Sequence, residues 1–66
     1  MTTYKPFVNN EIVELINRTE IENGFFMEGG TVGIVLDKTF PDYYLVLFEG
    51  YGSYWVDGCK MKRKHN

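Results

Sequence analysis

Apolar residues gather along the chain into short runs, broken by glycine, proline, asparagine or charge. Residues 11–16, Glu-Ile-Val-Glu-Leu-Ile, admit two readings. A helix would take Asn10 as its N-cap and place Ile12, Leu15 and Ile16 on one face. A strand fits better, because three of the four apolar residues are β-branched, and Asn17, Thr19 and the Asn23-Gly24 pair stop a helix within about three turns. Val13 and Leu15 then share a face. Residues 17–30 form the longest connection, a loop of about 14 residues that carries Ile21, Phe25 and Phe26 and closes on Glu28-Gly29-Gly30. Residues 31–36, Thr-Val-Gly-Ile-Val-Leu, are the next strand, with Gly30 and Gly33 marking a bend or a close backbone approach. After a turn over 37–42, residues 43–48, Tyr-Tyr-Leu-Val-Leu-Phe, give the strongest strand signal of the chain. Residues 49–53 read as a hairpin turn, 53–56 as a short strand and Asp57-Gly58 as another turn. The last strand is built around Met61. Residues 1–10, with Pro6, Asn9 and Asn10 set among Tyr4, Phe7 and Val8, read as an irregular arm, and residues 11–66 as one folded domain.

Five short strands, one long first connection, a bent glycine-bearing second strand and three tight turns resemble a Src-homology-3-like small β-barrel. The resemblance runs over residues 11–64. It rests on Glu-Ile-Val-Glu-Leu, Gly-Thr-Val-Gly-Ile-Val-Leu, Tyr-Tyr-Leu-Val-Leu-Phe, Tyr-Trp-Val and the final Met-Lys-Arg. The same string is similar to small stand-alone barrels of bacteriophage and bacterial proteins, and to the Gly-x-x-Gly-x-Val strand of KOW-type modules. The resemblance implies an all-β fold, a five-stranded small barrel with an N-terminal arm. It implies no single function, because such barrels host many unrelated activities. Src-homology-3 domains that dock proline-rich segments carry Ala-Leu-Tyr-Asp-Tyr, a Trp-Trp pair and a Pro-x-x-Tyr turn. This chain has none of these and reads Val56-Asp57-Gly58-Cys59 at the last position, so polyproline docking is not expected.

A half-buried strand alternates apolar and polar residues, whereas 43–48 is apolar throughout. If Tyr44, Val46 and Phe48 point inward beside Val13, Leu15, Val35, Trp55 and Met61, then Tyr43, Leu45 and Leu47 point outward and need cover. Two covers are open. Either the arm lays Tyr4, Phe7 and Val8 across the outer face while the strand bends to serve both halves of the barrel, or that face is an interface for a second copy or another protein.

Composition narrows the function. The 66 residues, 44% hydrophobic and 17% aromatic, suffice for a single small core. No apolar run approaches the ~20 residues that span a bilayer, and the first residues lack the apolar stretch of a secretory signal. Cys59 cannot form an internal disulfide, and with His65 it cannot supply the four ligands of a structural zinc. A cytoplasmic protein (host cytoplasm if bacteriophage-encoded) with no membrane partner, no cofactor and no metal is expected. Catalysis is not expected either, since Cys59 has no general base but a terminal histidine, and Glu20 with Glu22 is too common a spacing to mark a cation site.

Charge is uneven along the chain. Residues 1–59 hold all nine acids against Lys5, Arg18 and Lys38, an excess of six negative charges, while Lys60, Lys62, Arg63 and Lys64 add four positive ones. In an extended strand Lys60, Lys62 and Lys64 share one face at ~6.6 Å intervals, close to the spacing of phosphates along a nucleic-acid strand. A pI near 5.2 argues against that use. An edge strand guarded by lysines, or docking onto an acidic protein surface, accounts for the same residues.

The expectation is therefore a non-enzymatic protein-binding module, such as a bacteriophage accessory or host-interaction protein. It would act on another protein or on a second copy of itself. Phe25, Phe26, Phe40, Tyr43, Leu45 and Tyr54 are the expected contacts. The alternative is a nucleic-acid or ribonucleoprotein accessory barrel of KOW type that grips phosphates with Lys60, Lys62, Arg63 and Lys64.

Overall fold

The structure, a computed structural model, describes residues 6–64. Among the described residues there are seven strands: β1 (Ile12–Leu15), β2 (Thr19–Glu22), β3 (Phe25–Met27), β4 (Val32–Thr39), β5 (Tyr43–Phe48), β6 (Gly52–Asp57) and β7 (Met61–Arg63), with a 3₁₀ turn at Gly58–Lys60 before the last. β1, β4, β5, β6 and β7 form one antiparallel sheet in the order β6-β5-β4-β1-β7, and β2 pairs with β3 in a separate hairpin. The architecture is all-β and barrel-like, as the residue pattern implies.

The core follows from strand alternation. Val13 and Leu15 of β1, Val35 of β4, Tyr44, Val46 and Phe48 of β5, Val56 of β6 and Met61 of β7 are buried, joined by Met27 from the hairpin. Each fully buried aliphatic or aromatic side chain contributes about 1.5–3 kcal/mol relative to exposure. The strand reading of residues 11–16 holds, with β-branched Ile12 and Val13 on opposite faces. β4 is the long strand. It pairs with β1 through Val32, Gly33 and Ile34 and with β5 from Gly33 to Thr39, with a register shift between Val35 and Asp37. That bulge at Leu36 bends β4, so the bending expected of residues 43–48 falls on its neighbour.

Four expectations are corrected. The connection over 17–30 is not a loop, because Thr19–Glu22 and Phe25–Met27 pair across Asn23-Gly24. Gly24 takes φ +73°, and its N–H donates to Glu20 Oε2 at 3.0 Å. Within the hairpin the buried Thr19 hydroxyl donates to Asn17 O at 2.8 Å. The turn over 37–42 shortens to residues 40–42, since β4 runs on to Thr39. Trp55 faces outward instead of into the core. The β5–β6 register sets it opposite outward Leu45 and sets Val56 opposite inward Tyr44, so Val56 takes the place expected for the indole.

The arm provides the fourth correction. Phe7 is buried among the core residues and meets Tyr44 edge-on at a ring separation of 5.3 Å. It does not lie over the outer face, and Val8 stands exposed; Tyr4 lies outside the described residues. The Phe7 N–H donates to Tyr44 Oη at 3.3 Å, and that hydroxyl donates to Asp42 Oδ1 at 2.8 Å. The buried phenol therefore has both a donor and an acceptor partner.

Candidate functional site

Side chains that alternate away from the core form an apolar patch across four neighbouring strands, with Glu14 opposite Val32, Ser53 opposite Leu47 and Asp57 opposite Tyr43 at its margins. Pairing aligns them in rows across the sheet. Ile12 of β1 lies opposite Ile34 of β4, and Ile34 opposite Leu47 of β5. One row on, Leu45 lies opposite Trp55 of β6, and Leu36 occupies the bulge beside it. Tyr43 lies next along β5, its ring stacked on Trp55 at 5.6 Å and 16°. Ile12, Val32, Leu36, Tyr43, Leu47 and Trp55 are each between 37% and 43% exposed, and Ile34 and Leu45 sit half-buried between them. Strands that are apolar on one face only would put polar residues here.

One end of this face is concave. A groove of about 680 Å³ is lined by Ile12, Val32, Ile34, Leu47, Glu49 and Tyr51, among others. Its floor is aliphatic because β1, β4 and β5 each contribute an outward β-branched or leucine side chain. The turn over residues 49–51 forms its wall.

The expected contact residues do not converge. Tyr43 and Leu45 share the outer face. Phe25 and Tyr54 belong to a different cluster, in which Phe25 packs against Tyr51 and Tyr54 at ring separations of 6.1 and 5.7 Å and against the core. The Tyr54 hydroxyl donates to Tyr51 O at 3.2 Å, so this cluster braces the 49–51 turn. Phe26 is elsewhere, with the Arg18 guanidinium 4.7 Å from its ring centre and Arg18 paired to Glu28 at 3.4 Å. Phe40 stands on the turn after β4, 90% exposed. Trp55, Leu47, Ile12, Val32, Ile34 and Leu36 were not among the expected contacts. The lack of alternation in residues 31–36 and 43–48 is the signal for those on β4 and β5, whereas the facing of Trp55 follows only from the β5–β6 register.

The basic residues are divided as well. Lys60 lies in the 3₁₀ turn and only Met61–Arg63 is extended, so Lys60, Lys62 and Lys64 do not form one ladder. Lys62 lies opposite Glu14 and is exposed on the outer side. Arg63 turns the other way. It pairs with Glu11, donates to Pro6 O at 2.8 Å and covers the Phe7 ring at 4.8 Å. It ties the arm to the sheet, which removes one of the four cations from phosphate binding. β7 is an edge strand, and Lys62 on it suits the role of discouraging edge-to-edge pairing. His65 lies outside the described residues.

Among the described residues no helix is long and apolar enough to cross a membrane, and no three His, Cys, Asp or Glu residues gather as metal ligands do. Compared with protein-family models, with curated proteins and with solved structures, the chain matches none.

Proposed function

We propose that this chain is a non-enzymatic protein-docking module, and that its contact surface is the outer face of the five-stranded sheet. The observation that carries the reading is the row-on-row alignment of Ile12, Ile34 and Leu47 with Leu45, Trp55 and Tyr43 on the side away from the core. Exposed apolar surface is costly in water, and a contiguous patch of this kind marks an interaction site. Glu11 is paired with Arg63, which ties the arm to the sheet, and Cys59 is an exposed thiol. The long first connection, the bulged β4 bearing Gly33 and the β6-β5-β4-β1-β7 order support placing the fold with Src-homology-3-like small barrels. The KOW-type reading is less well supported, because Arg63 serves the arm and Lys60 leaves the strand.

A hydrophobic reporter dye tests the docking face. At high dilution the folded protein should bind the dye, and Leu47→Glu should abolish binding with an unchanged circular dichroism spectrum. A folded protein that binds no dye at any dilution overturns the proposal.

A further inference from the structure

We infer that Asn23, at the tip of the β2–β3 hairpin, is a site of spontaneous covalent modification. The Gly24 main-chain nitrogen closes on the Asn23 side-chain amide to form a succinimide, with Glu20 taking the proton, and water opens the ring to aspartate and isoaspartate. This chemistry is independent of the docking face and proceeds whether or not that face is occupied.

Asparagine is chemically labile, and ring closure needs an unshielded nitrogen, room for the ring and a group to take the proton. Asn23 has all three. Of Asn9, Asn10, Asn17, Asn23 and Asn66, only Asn23 precedes a glycine, which has no Cβ to hinder approach. Asn23 and Gly24 are exposed, and a Cβ on Gly24 would have nothing within 4 Å. Glu20 Oε2 lies 3.0 Å from Gly24 N and accepts its hydrogen, so the proton acceptor already touches the reacting atom. Asp57-Gly58 is the other place where an Asn or Asp precedes glycine, and its surroundings differ. Gly58 is buried, its N–H donates to Asp42 O at 2.8 Å, and a Cβ on it would collide with the Asp42 carboxyl group. Backbone holds that nitrogen in a packed site, whereas only an exposed side chain holds the nitrogen of Gly24.

Gly24 N bonds to Asn23 Cγ as its proton passes to the Glu20 carboxylate. The Cγ–Nδ2 bond then breaks, and Nδ2 takes the proton back from Glu20 and leaves as ammonia. A water molecule next adds to either ring carbonyl. Opening at Cγ restores the ordinary backbone with aspartate at position 23; opening at the main-chain carbonyl leaves the backbone running through Cβ and Cγ, which is isoaspartate. The chain gains water, loses ammonia and exchanges a neutral amide for a carboxylate. The new charge stands between Glu20 and Glu22, and like charges repel. In isoaspartate the added backbone carbon falls in the turn that pairs Glu22 with Phe25. β3 carries Phe25, packed on the core, and buried Met27, so a distorted turn loosens core packing as well.

Incubation of the folded chain in mildly alkaline buffer, followed by peptide mapping with isoaspartate-sensitive mass spectrometry, tests the inference. The peptide that holds Asn23 should gain the mass of an amide-to-acid exchange and split into aspartate and isoaspartate forms, while Asn9, Asn10 and Asn17 stay intact. Glu20→Gln keeps the size of the side chain and removes the base, so conversion should slow by about tenfold or more with an unchanged circular dichroism spectrum. Asn23→Gln, whose longer side chain closes the ring poorly, should gain no mass at that position. The aged chain, separated by its added negative charge, should unfold at a lower urea concentration than the fresh chain. An Asn23 that survives in the folded chain while a urea-unfolded control converts overturns the inference, as does conversion of Asn10 or Asn17 at the same rate. An unchanged rate in folded Glu20→Gln overturns Glu20 as the proton acceptor. If that variant fails to fold, mapping of the native chain still decides the site.

Discussion

Gly33 sits at the centre of the sheet, paired to Val13 on one side and to Phe48 on the other. A Cβ there would stand 2.5 Å from Val46 Cγ1, 2.9 Å from Leu47 O and 3.0 Å from a Phe48 ring carbon. One of these is backbone in a hydrogen-bonded strand and the others belong to fully buried side chains, so none can yield cheaply. Gly33→Ala should destabilise the fold by about 1–3 kcal/mol, the range for overpacking a core. Urea unfolding should show a lower midpoint with an unchanged slope; an unaltered midpoint would mean that the sheet relaxes around the methyl group. A close approach at Gly33 was legible in the sequence, since a glycine inside a β-branched run has few other uses. The orientation of Trp55 was not. Tyr54 and Trp55 are adjacent, and alternation alone lets either face inward. The choice is made by the short turn over residues 49–51, which pairs Phe48 with Gly52 and carries that register along to Val56. A slip of one residue would exchange the two faces of β6.

Elements depend on one another more than a residue-by-residue reading shows. The β2–β3 hairpin was visible in principle, because Asn-Gly is a strong hairpin signal between alternating segments. Thr19–Glu22 holds a single strongly apolar residue, Ile21, so its alternation is too slight to stand out. The arm could not be placed from sequence, since Phe7 reaches its site only through contacts with β5 and β7. Arg63 carries that attachment with three interactions: the Glu11 carboxylate, the Pro6 carbonyl and the Phe7 ring. Its side chain is 30% exposed, so solvent screens the ion pair and the packing matters as much as the charge. Arg63→Ala should cost about 1–2 kcal/mol. Arg63→Lys should recover only part of it, because an ammonium cannot bond to two acceptors in a plane while lying flat on the ring. Proteolysis near residues 6–11 should quicken in both variants, and an unchanged cleavage rate with unchanged stability would show that the arm is held by Phe7 alone.

For the whole molecule, β5 divides two tasks between alternate residues. Phe48 is fully buried and Leu47, its neighbour, is 42% exposed. In a chain of 66 residues the inner set closes a small core, and the outer apolar set adds little to the stability of an isolated copy. At dilutions where the chain is monomeric, Phe48→Ala should therefore cost about 3–5 kcal/mol. Leu47→Glu should change stability by no more than about 0.5 kcal/mol, as for an ordinary surface substitution. Thermal and urea unfolding of the native chain and of the two variants at high dilution distinguish the cases. If Leu47→Glu destabilises the dilute monomer as much as Phe48→Ala does, Leu47 is part of the core in solution, and the division of labour along β5 is wrong.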